Sequence, residues 1–210
     1  MDFSDSFGVE FRATSELDYE GQAARCVTAS RSYSTDIDDL WDAVTNAERL
    51  SRWFLAISGD LEVGRRYQLQ GHAGGAISRC DPPTAFDATW EYGDNISWIR
   101  VRFETEAQGA RLTLEHITLK DEESEAHWDK FGPGATGIGW ELGFLALDYH
   151  LAKKLAIDPE ANEAWMMSDA GKAFFRQAAT DWGQAHIASG ESETVATAMA
   201  DRSANFYTGG

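Results

Sequence analysis

Between Arg65 and Leu119 the sequence consists of short stretches in which apolar and polar residues alternate. The clearest are TAFDATWEY and ISWIRVRFE, which the turn residues Gly93-Asp94-Asn95 separate. A period of two places successive side chains on opposite faces of a strand, and strands joined by such a turn form a hairpin. The pattern therefore predicts an antiparallel meander with one face available for a core. The residues predicted on the apolar faces are Tyr67, Leu69, Phe86, Ala88, Trp90, Ile99, Val101, Phe103, Leu112, Leu114 and His116.

Two short helices are predicted ahead of the meander. Within residues 35–45, apolar residues recur at i, i+3, i+4 and i+7, which is typical of an amphipathic helix. Thr35 can cap this helix at its N-terminus. Asn46 can cap a second short helix, which carries Trp53 and Phe54.

More helices are predicted after the meander. Residues 120–133 are predicted as an acidic loop that contains His127 and Trp128. The stretch GPGATGIGWELGFLALDYHLAKKLAI then predicts a long helix. Its apolar residues form two stripes, so we expect it to be covered on more than one side. Asp158 and Ser168 can cap further helices in the remainder of the chain.

The first half of the predicted long helix contains four glycines, Gly134, Gly137, Gly139 and Gly143. Each costs about 1 kcal/mol of helix stability relative to alanine. Two explanations are open. Either another backbone, such as that of the sheet, packs closely there, or the missing side chains leave room for a cavity.

The elements predict one domain with an extension at each end. Residues 1–20 are polar and aperiodic and are predicted to be a loosely ordered N-terminal extension. Residues 21–156 form the predicted domain, which begins with a strand over residues 22–33. Residues 157–210 form a helical C-terminal extension, whose apolar stripes pack either on the domain or on a partner subunit.

A formal net charge of -17 makes the surface strongly acidic. Such a surface repels nucleic-acid phosphates and anionic lipid headgroups, so we expect no nucleic-acid partner. No stretch approaches the roughly 18 consecutive apolar residues needed to span a bilayer. The N-terminal residues lack the basic and apolar regions of a signal peptide, so the expected location is the cytoplasm.

The two cysteines, Cys26 and Cys80, both fall within predicted strands. A cysteine in such a position usually acts as a small buried hydrophobic residue. No histidine lies nearby at the spacing of a metal site, so we expect neither a metal nor a disulfide in a reducing compartment.

Four stretches of the chain resemble a known family: LWDAVTNAERLSRWF, SGDLEVGRRYQLQGHAGGAISRCDPP, ATWEYGDNISWIRVRFE and RLTLEHI. They are similar to bacterial homologues of the activator of heat-shock-protein ATPase, the AHSA branch of the START-like (SRPBCC) superfamily. The resemblance covers residues 22–155. It implies an α+β helix-grip fold, in which a curved antiparallel sheet wraps around the long helix. It also implies a deep cavity between sheet and helix that opens near the two short helices.

Eight residues are candidates for lining this cavity. Aromatic residues and a few polar groups are typical of small-molecule sites, although core packing explains each aromatic residue slightly better than ligand contact does. A lone histidine on an apolar face is likewise more often a core residue than a catalyst. The candidates are Trp53, Phe54, Trp90, His116, Gly139, Trp140, Gly143 and Phe144.

The sequence favours a binding module over an enzyme. It contains no HExxH, Ser-His-Asp or Cys-His arrangement, so no catalytic residue, metal or cofactor is assigned. An acid–base role for His116 or Glu141 is the weakest of the hypotheses. The favoured function is binding of a hydrophobic or amphipathic small molecule in the internal cavity.

Two alternatives come from the resemblance alone. One is a co-chaperone-like interaction protein, which this chain supports weakly because no second chaperone-binding domain is recognisable. The other is a polyketide cyclase-like or hydrolase-like enzyme. Both a monomer and a homodimer are compatible with the sequence.

Overall fold

The structure is a computed structural model that describes residues 7–8 and 10–209. This part of the chain contains eight strands and seven helices. In chain order they are β1 Phe11–Tyr19, β2 Gln22–Tyr33, α1 Ile37–Thr45, α2 Ala47–Leu50, β3 Ile57–Gly59, β4 Arg66–Leu69, β5 Gly74–Asp81, β6 Ala85–Tyr92, β7 Asn95–Glu106, β8 Gly109–Leu119, α3 Glu122–Phe131, α4 Gly134–Lys153, α5 Pro159–Met167, α6 Asp169–Ala188 and α7 Glu193–Thr208.

The strands form one sheet in the order β1-β2-β8-β7-β6-β5-β4-β3. Each of the strands β3 to β7 pairs antiparallel with the strand that follows it in the chain. The antiparallel meander predicted from the alternating pattern is therefore confirmed, with β3 as a sixth strand, and so is the α+β class.

The chain divides into two compact units. Unit 1 contains the chain up to Ala29, Leu119–Leu145 and the chain from Ile157 onward. Unit 2 contains Ser30–Thr118 and Ala146–Ala156. The helical C-terminal extension thus shares a unit with β1, α3 and the first part of α4.

In unit 2, the register of β6, β7 and β8 assembles one continuous apolar face. Residues directly opposite each other on neighbouring strands point to the same side of a sheet. Val101 is opposite both Phe86 and Leu114. Trp41 of α1 covers this end of the face, with ring centroids 6.2 Å from Phe86 and 5.2 Å from Phe103.

The two short helices of unit 2 are capped by side chains. Asn46 accepts hydrogen bonds from the first amides of α2, as predicted. The cap of α1 differs from the prediction, because Asp36 accepts from the amide of Asp39 at 2.8 Å. Thr35 instead donates its hydroxyl to the Asp39 carboxylate.

In unit 1, the predicted caps at Asp158 and Ser168 are confirmed. Helix α6 packs against α7, α5 and β1, and α7 also packs against α3. A chain of ring contacts with centroid distances between 5.1 and 6.4 Å joins these elements. Its members are Phe7, Trp165, Phe174, Phe175, Tyr207, Phe206, Phe131 and His127.

Two segments are more ordered than the sequence predicts. Residues 11–19, expected to be loosely ordered, form strand β1; the same prediction for residues 1–6 and 9 lies outside the described residues. Most of the predicted acidic loop over residues 120–133 is helix α3. Its N-terminus is a capping box, in which Asp121 and Ser124 satisfy each other's backbone amides. The acidic residues of its first turn suit the positive end of the helix dipole.

Two of the α4 glycines are sites of close helix packing. A Cβ atom at Gly137 would lie 2.0 Å from Cε2 of Trp182, and one at Gly134 would lie 2.7 Å from Oγ of Ser203. Trp182 belongs to α6 and Ser203 to α7, so these glycines admit the C-terminal helices rather than the backbone of the sheet. At Gly139 a Cβ atom would lie 3.3 Å from the Tyr207 hydroxyl, which is a much milder contact.

We predict that alanine substitutions at Gly137 and Gly139 differ in their effect on the free energy of unfolding. Gly137→Ala forces a shift of the fully buried Trp182 and should lower the free energy of unfolding by about 1–3 kcal/mol. Gly139→Ala is the matched control, because it carries the same gain in helix propensity and needs the Tyr207 hydroxyl to shift by only a few tenths of an ångström. It should stay within about 1 kcal/mol of the wild type in urea denaturation. Equal stability of the two variants would contradict the packing argument.

Candidate functional site

Three residues of unit 2 meet on the apolar face beyond the end that Trp41 covers. Trp90 is directly opposite Ser97, and His116 is opposite Ile99, which brings both to the same side of the sheet. The rings of Trp90 and His116 have centroids 6.4 Å apart at an edge-to-face angle of 67°. Of the predicted site residues, these two are brought together.

Ser97, which the sequence analysis did not single out, links this pair. Its hydroxyl donates to the carbonyl of Trp90 at 3.0 Å and lies 2.9 Å from Nε2 of His116. A hydroxyl has one proton, and a carbonyl can only accept. Nε2 of His116 must therefore donate to Ser97, which fixes the imidazole as the tautomer protonated at Nε2. The signal for Ser97 that was available in the sequence is a serine at a position on the buried face of a strand.

His116 is desolvated and yet partly accessible. Burial lowers the pKa of its imidazole to about 4, so the ring is neutral at physiological pH. The residue as a whole is nevertheless only half-buried.

His72 extends the aromatic cluster towards the surface. It lies in the turn between β4 and β5, and burial lowers the pKa of its imidazole. Its ring contacts Trp90 at 5.6 Å and the exposed Tyr92 at 5.3 Å. Tyr92, His72, Trp90 and His116 thus form a series of rings from the surface to the interior.

Trp53 and Phe54 form a second pair, with centroids 5.5 Å apart. The indole N–H of Trp53 donates to the carbonyl of Ala43 at 2.9 Å, which anchors the ring to α1. Both side chains are half-buried. The amide of Gln70 donates to the carbonyl of Ala56 at 2.8 Å, so the segment after Phe54 runs beside the turn that carries His72.

The other four candidates belong to α4 within unit 1. Gly139 is exposed and Trp140 is half-buried, whereas Gly143 and Phe144 are buried. That these four residues line a cavity remains a prediction.

Unit 1 contains a buried ion cluster centred on Arg12 of β1. Nε and Nη2 of Arg12 donate to the two carboxylate oxygens of Glu141 at 2.5 and 2.8 Å. Nη2 also lies 3.4 Å from Glu10 and 3.3 Å from Asp181 of α6. Sequence reasoning noted Glu141 but missed Arg12, because residues 1–20 have no periodicity that would assign them to the core.

Burial raises the pKa of Glu141 to about 7, although the hydrogen bonds and charge of Arg12 act to lower it. Burial acts to lower the pKa of Arg12, but its carboxylate partners outweigh burial and raise it. The guanidinium therefore stays charged.

The described residues contain neither a cluster that could hold a metal ion nor a helix that could span a membrane. No group of three or more His, Cys, Asp or Glu side chains there is arranged to hold a metal ion. None of the described helices is long and apolar enough to cross a bilayer. Cys26 is buried and Cys80 half-buried, and both are thiols.

A family model matches residues 34–151, more than half of the chain, and its description is activator of Hsp90 ATPase homolog 1-like protein. The chain belongs to this family. The resemblance inferred from the four sequence stretches is therefore confirmed. A search of curated proteins found no significant match.

Several solved structures are similar to this chain. The solution structure of CalU16 from Micromonospora echinospora is 26% identical, with a TM-score of 0.71, over 88% of this chain and 99% of that chain. The CalU16 crystal structure is 28% identical, with a TM-score of 0.61, over 80% and 98%. DynU16, a protein in the dynemicin biosynthetic locus, is 16% identical, with a TM-score of 0.52, over 62% and 48%. These likenesses confirm the helix-grip fold with C-terminal helices.

We predict that His116 keeps one neutral tautomer throughout the neutral pH range. Because its pKa is about 4, its ring nitrogen shifts should be the same at pH 5.5 and pH 8.0. Long-range ¹H–¹⁵N correlation spectra should identify Nε2 as the protonated nitrogen. Ser97→Ala removes the acceptor and should shift the Nε2 resonance. Titration of His116 near pH 6.5 would refute the desolvated placement.

Proposed function

We propose that the protein binds a hydrophobic or amphipathic small molecule in an internal cavity bordered by Trp90 and His116. The observation that carries the proposal is the state of His116, which is desolvated enough to lower its pKa to about 4 and is still partly accessible. The apolar face formed by β6, β7 and β8 supplies the hydrophobic surroundings that such a ligand needs.

The chemistry of this region favours an uncharged ligand. A neutral imidazole offers hydrogen bonding without a charge, so it does not compensate the desolvation of a buried carboxylate or phosphate. The hydroxyl of Ser97 fixes the orientation of the ring. A largely apolar molecule with one or two neutral polar groups matches this environment.

Trp53 and Phe54 are proposed to line the entrance. They are half-buried, and the segment that follows them hydrogen-bonds beside the turn of His72. For Gly139, Trp140, Gly143 and Phe144, cavity lining remains part of the proposal. The separate contacts of Gly134 and Gly137 with the C-terminal helices leave open why Gly139 and Gly143 are glycine.

The two other functions have less support. A histidine with a pKa of about 4 is not an imidazolium near neutral pH, which disfavours general-acid catalysis by His116. DynU16 is a protein in the dynemicin biosynthetic locus, and its 16% identity to this chain supports the fold alone. The co-chaperone alternative rests on the family description.

A matched pair of tryptophan variants tests the proposal. Trp90 and Trp98 lie on neighbouring strands, are both half-buried and face opposite sides of the sheet. In fluorescence titrations with the neutral probe N-phenyl-1-naphthylamine, Trp90→Ala should weaken binding about tenfold, because an aromatic contact is lost. Trp98→Ala should bind the probe like the wild type. Equal affinities of the two variants would remove Trp90 from the site.

Two further measurements complete this test. Native mass spectrometry of protein purified from its own host should detect a co-purifying small molecule. The folded double variant with Gly139→Leu and Gly143→Leu should lose probe binding if α4 lines the cavity, and wild-type binding would exclude that role. A wild-type protein that binds no probe and carries no small molecule would overturn the binding function.

A further inference from the structure

The last part of α4 contains a buried histidine whose two ring nitrogens have different surroundings. His150 is 2% exposed. Its Nδ1 lies 2.8 Å from the carbonyl oxygen of Leu155, whereas its Nε2 has no hydrogen-bond partner among the described residues. We propose that Nε2 of His150 accepts a hydrogen bond from a hydroxyl or N–H group of the bound molecule. This inference rests on the proposed binding function and narrows its ligand class to largely apolar molecules that carry a neutral hydrogen-bond donor.

The contact with Leu155 determines where the proton lies on the ring of His150. A carbonyl oxygen can only accept a hydrogen bond, so Nδ1 must donate. In the neutral imidazole Nε2 then carries the lone pair and is an acceptor. This tautomer is the opposite of the one that Ser97 imposes on His116. A ligand group that pairs with Nε2 must therefore have a proton to donate.

The structural role of His150 accounts for only one of its nitrogens. The Nδ1 bond fastens the end of α4, together with a bond from the Lys154 amide to the His150 carbonyl at 2.8 Å. An asparagine side chain would supply the same kind of donor and would leave no acceptor behind. A buried acceptor without a donor loses the hydrogen bond that it makes to water in the unfolded chain, which is costly. Nε2 therefore needs a separate explanation, and a donor on the ligand supplies one.

His150 lies on the buried side of the part of α4 that belongs to unit 2. Within residues 146–156 the buried positions are Leu147, His150 and Leu151. They are spaced at i, i+3 and i+4 and so share one helix face. In the helix-grip fold the curved sheet wraps around this helix, so the buried face is directed inward. The imidazole is thus a polar group on an otherwise apolar face, which is the arrangement expected of a ligand anchor.

Two ion pairs connect this part of α4 to other elements of unit 2. Asp148 pairs with Arg31 of β2 at 3.1 Å, and Lys154 pairs with Asp39 of α1 at 3.1 Å. Helix α1 also carries Trp41, which covers one end of the apolar face of β6, β7 and β8. The helix segment between the two ion pairs carries the proposed acceptor. Its position is therefore set by the same unit that contains the proposed binding region.

His186 of α6 provides a contrast within unit 1. It is 5% exposed, and its Nδ1 likewise has no hydrogen-bond partner among the described residues. A Cβ atom at Gly132 would lie only 3.2 Å from this Nδ1, so the backbone of Gly132 already packs close to the nitrogen. No ligand group is inferred at His186, and its substitution is a matched control for that of His150.

Two probes of similar shape test the acceptor. 2-Naphthol carries a hydroxyl donor, and 2-fluoronaphthalene carries none. Their affinities are measured by displacement of N-phenyl-1-naphthylamine at neutral pH. His150→Asn keeps a donor for the Leu155 carbonyl and removes Nε2, so the ratio of the 2-naphthol affinity to the 2-fluoronaphthalene affinity should fall about tenfold from its wild-type value. His186→Asn should leave this ratio unchanged.

A spectroscopic measurement on the wild type detects the hydrogen bond directly and decides the matter if His150→Asn does not fold. Long-range ¹H–¹⁵N correlation spectra should show His150 protonated at Nδ1 alone. Saturation with 2-naphthol should move the Nε2 resonance towards the range of protonated nitrogens, because a donor then shares its lone pair. Saturation with 2-fluoronaphthalene should leave that resonance in place.

Three results would overturn the anchor at His150. They are an affinity ratio that His150→Asn leaves unchanged, an equal fall of the ratio in His186→Asn, and an Nε2 resonance that 2-naphthol does not move. The last result is expected if a resident water already donates to Nε2. A wild type that binds none of the three compounds would overturn the binding function as well. A wild type that binds them without a change at Nε2 would overturn the anchor alone.

Discussion

A carboxylate in the middle of a buried helix needs a cation within hydrogen-bonding distance, and Arg12 meets that need for Glu141. The cation comes from β1, far from α4 in sequence, so unit 1 cannot be completed without its N-terminal strand. Asp181 ties α6 to the same guanidinium. The close packing of Trp182 on Gly137 then fixes where α6 lies against α4. The ion pairs of Arg12 thus connect β1 and α6 to α4.

Unit 2 depends on strand register instead. The pairing of β6 with β7 and of β7 with β8 places Ser97 between Trp90 and His116, and a slip of one residue would turn all three to the other face. Ser97 has one proton to donate, so its bond to the Trp90 carbonyl also determines the tautomer of His116. Trp41 closes the opposite end of the same face. The region proposed to bind a ligand is therefore a part of the apolar face in which polar groups are already oriented by the sheet.

Burial shifts the pKa of two interior residues, His116 in unit 2 and Glu141 in unit 1. Burial lowers the pKa of His116 and raises that of Glu141, and in both cases it favours the neutral form. His116 is neutral across the physiological range and suits the recognition of uncharged molecules. Glu141 is held by two hydrogen bonds from the guanidinium of Arg12.

The sequence by itself determined the meander, the caps at Asn46, Asp158 and Ser168, and the family, because these depend on local periodicity, turn residues and short motifs. It also named both Trp90 and His116 as candidates for lining a cavity. It could not identify β1, the helix over Glu122–Phe131 or the role of Ser97. Those features depend on residues that are distant in sequence. Arg12 is buried because it pairs with Glu141, and position 137 needs a glycine because Trp182 packs against it. Charge neutralisation and close packing are properties of the assembled structure, so the tertiary structure alone decided them.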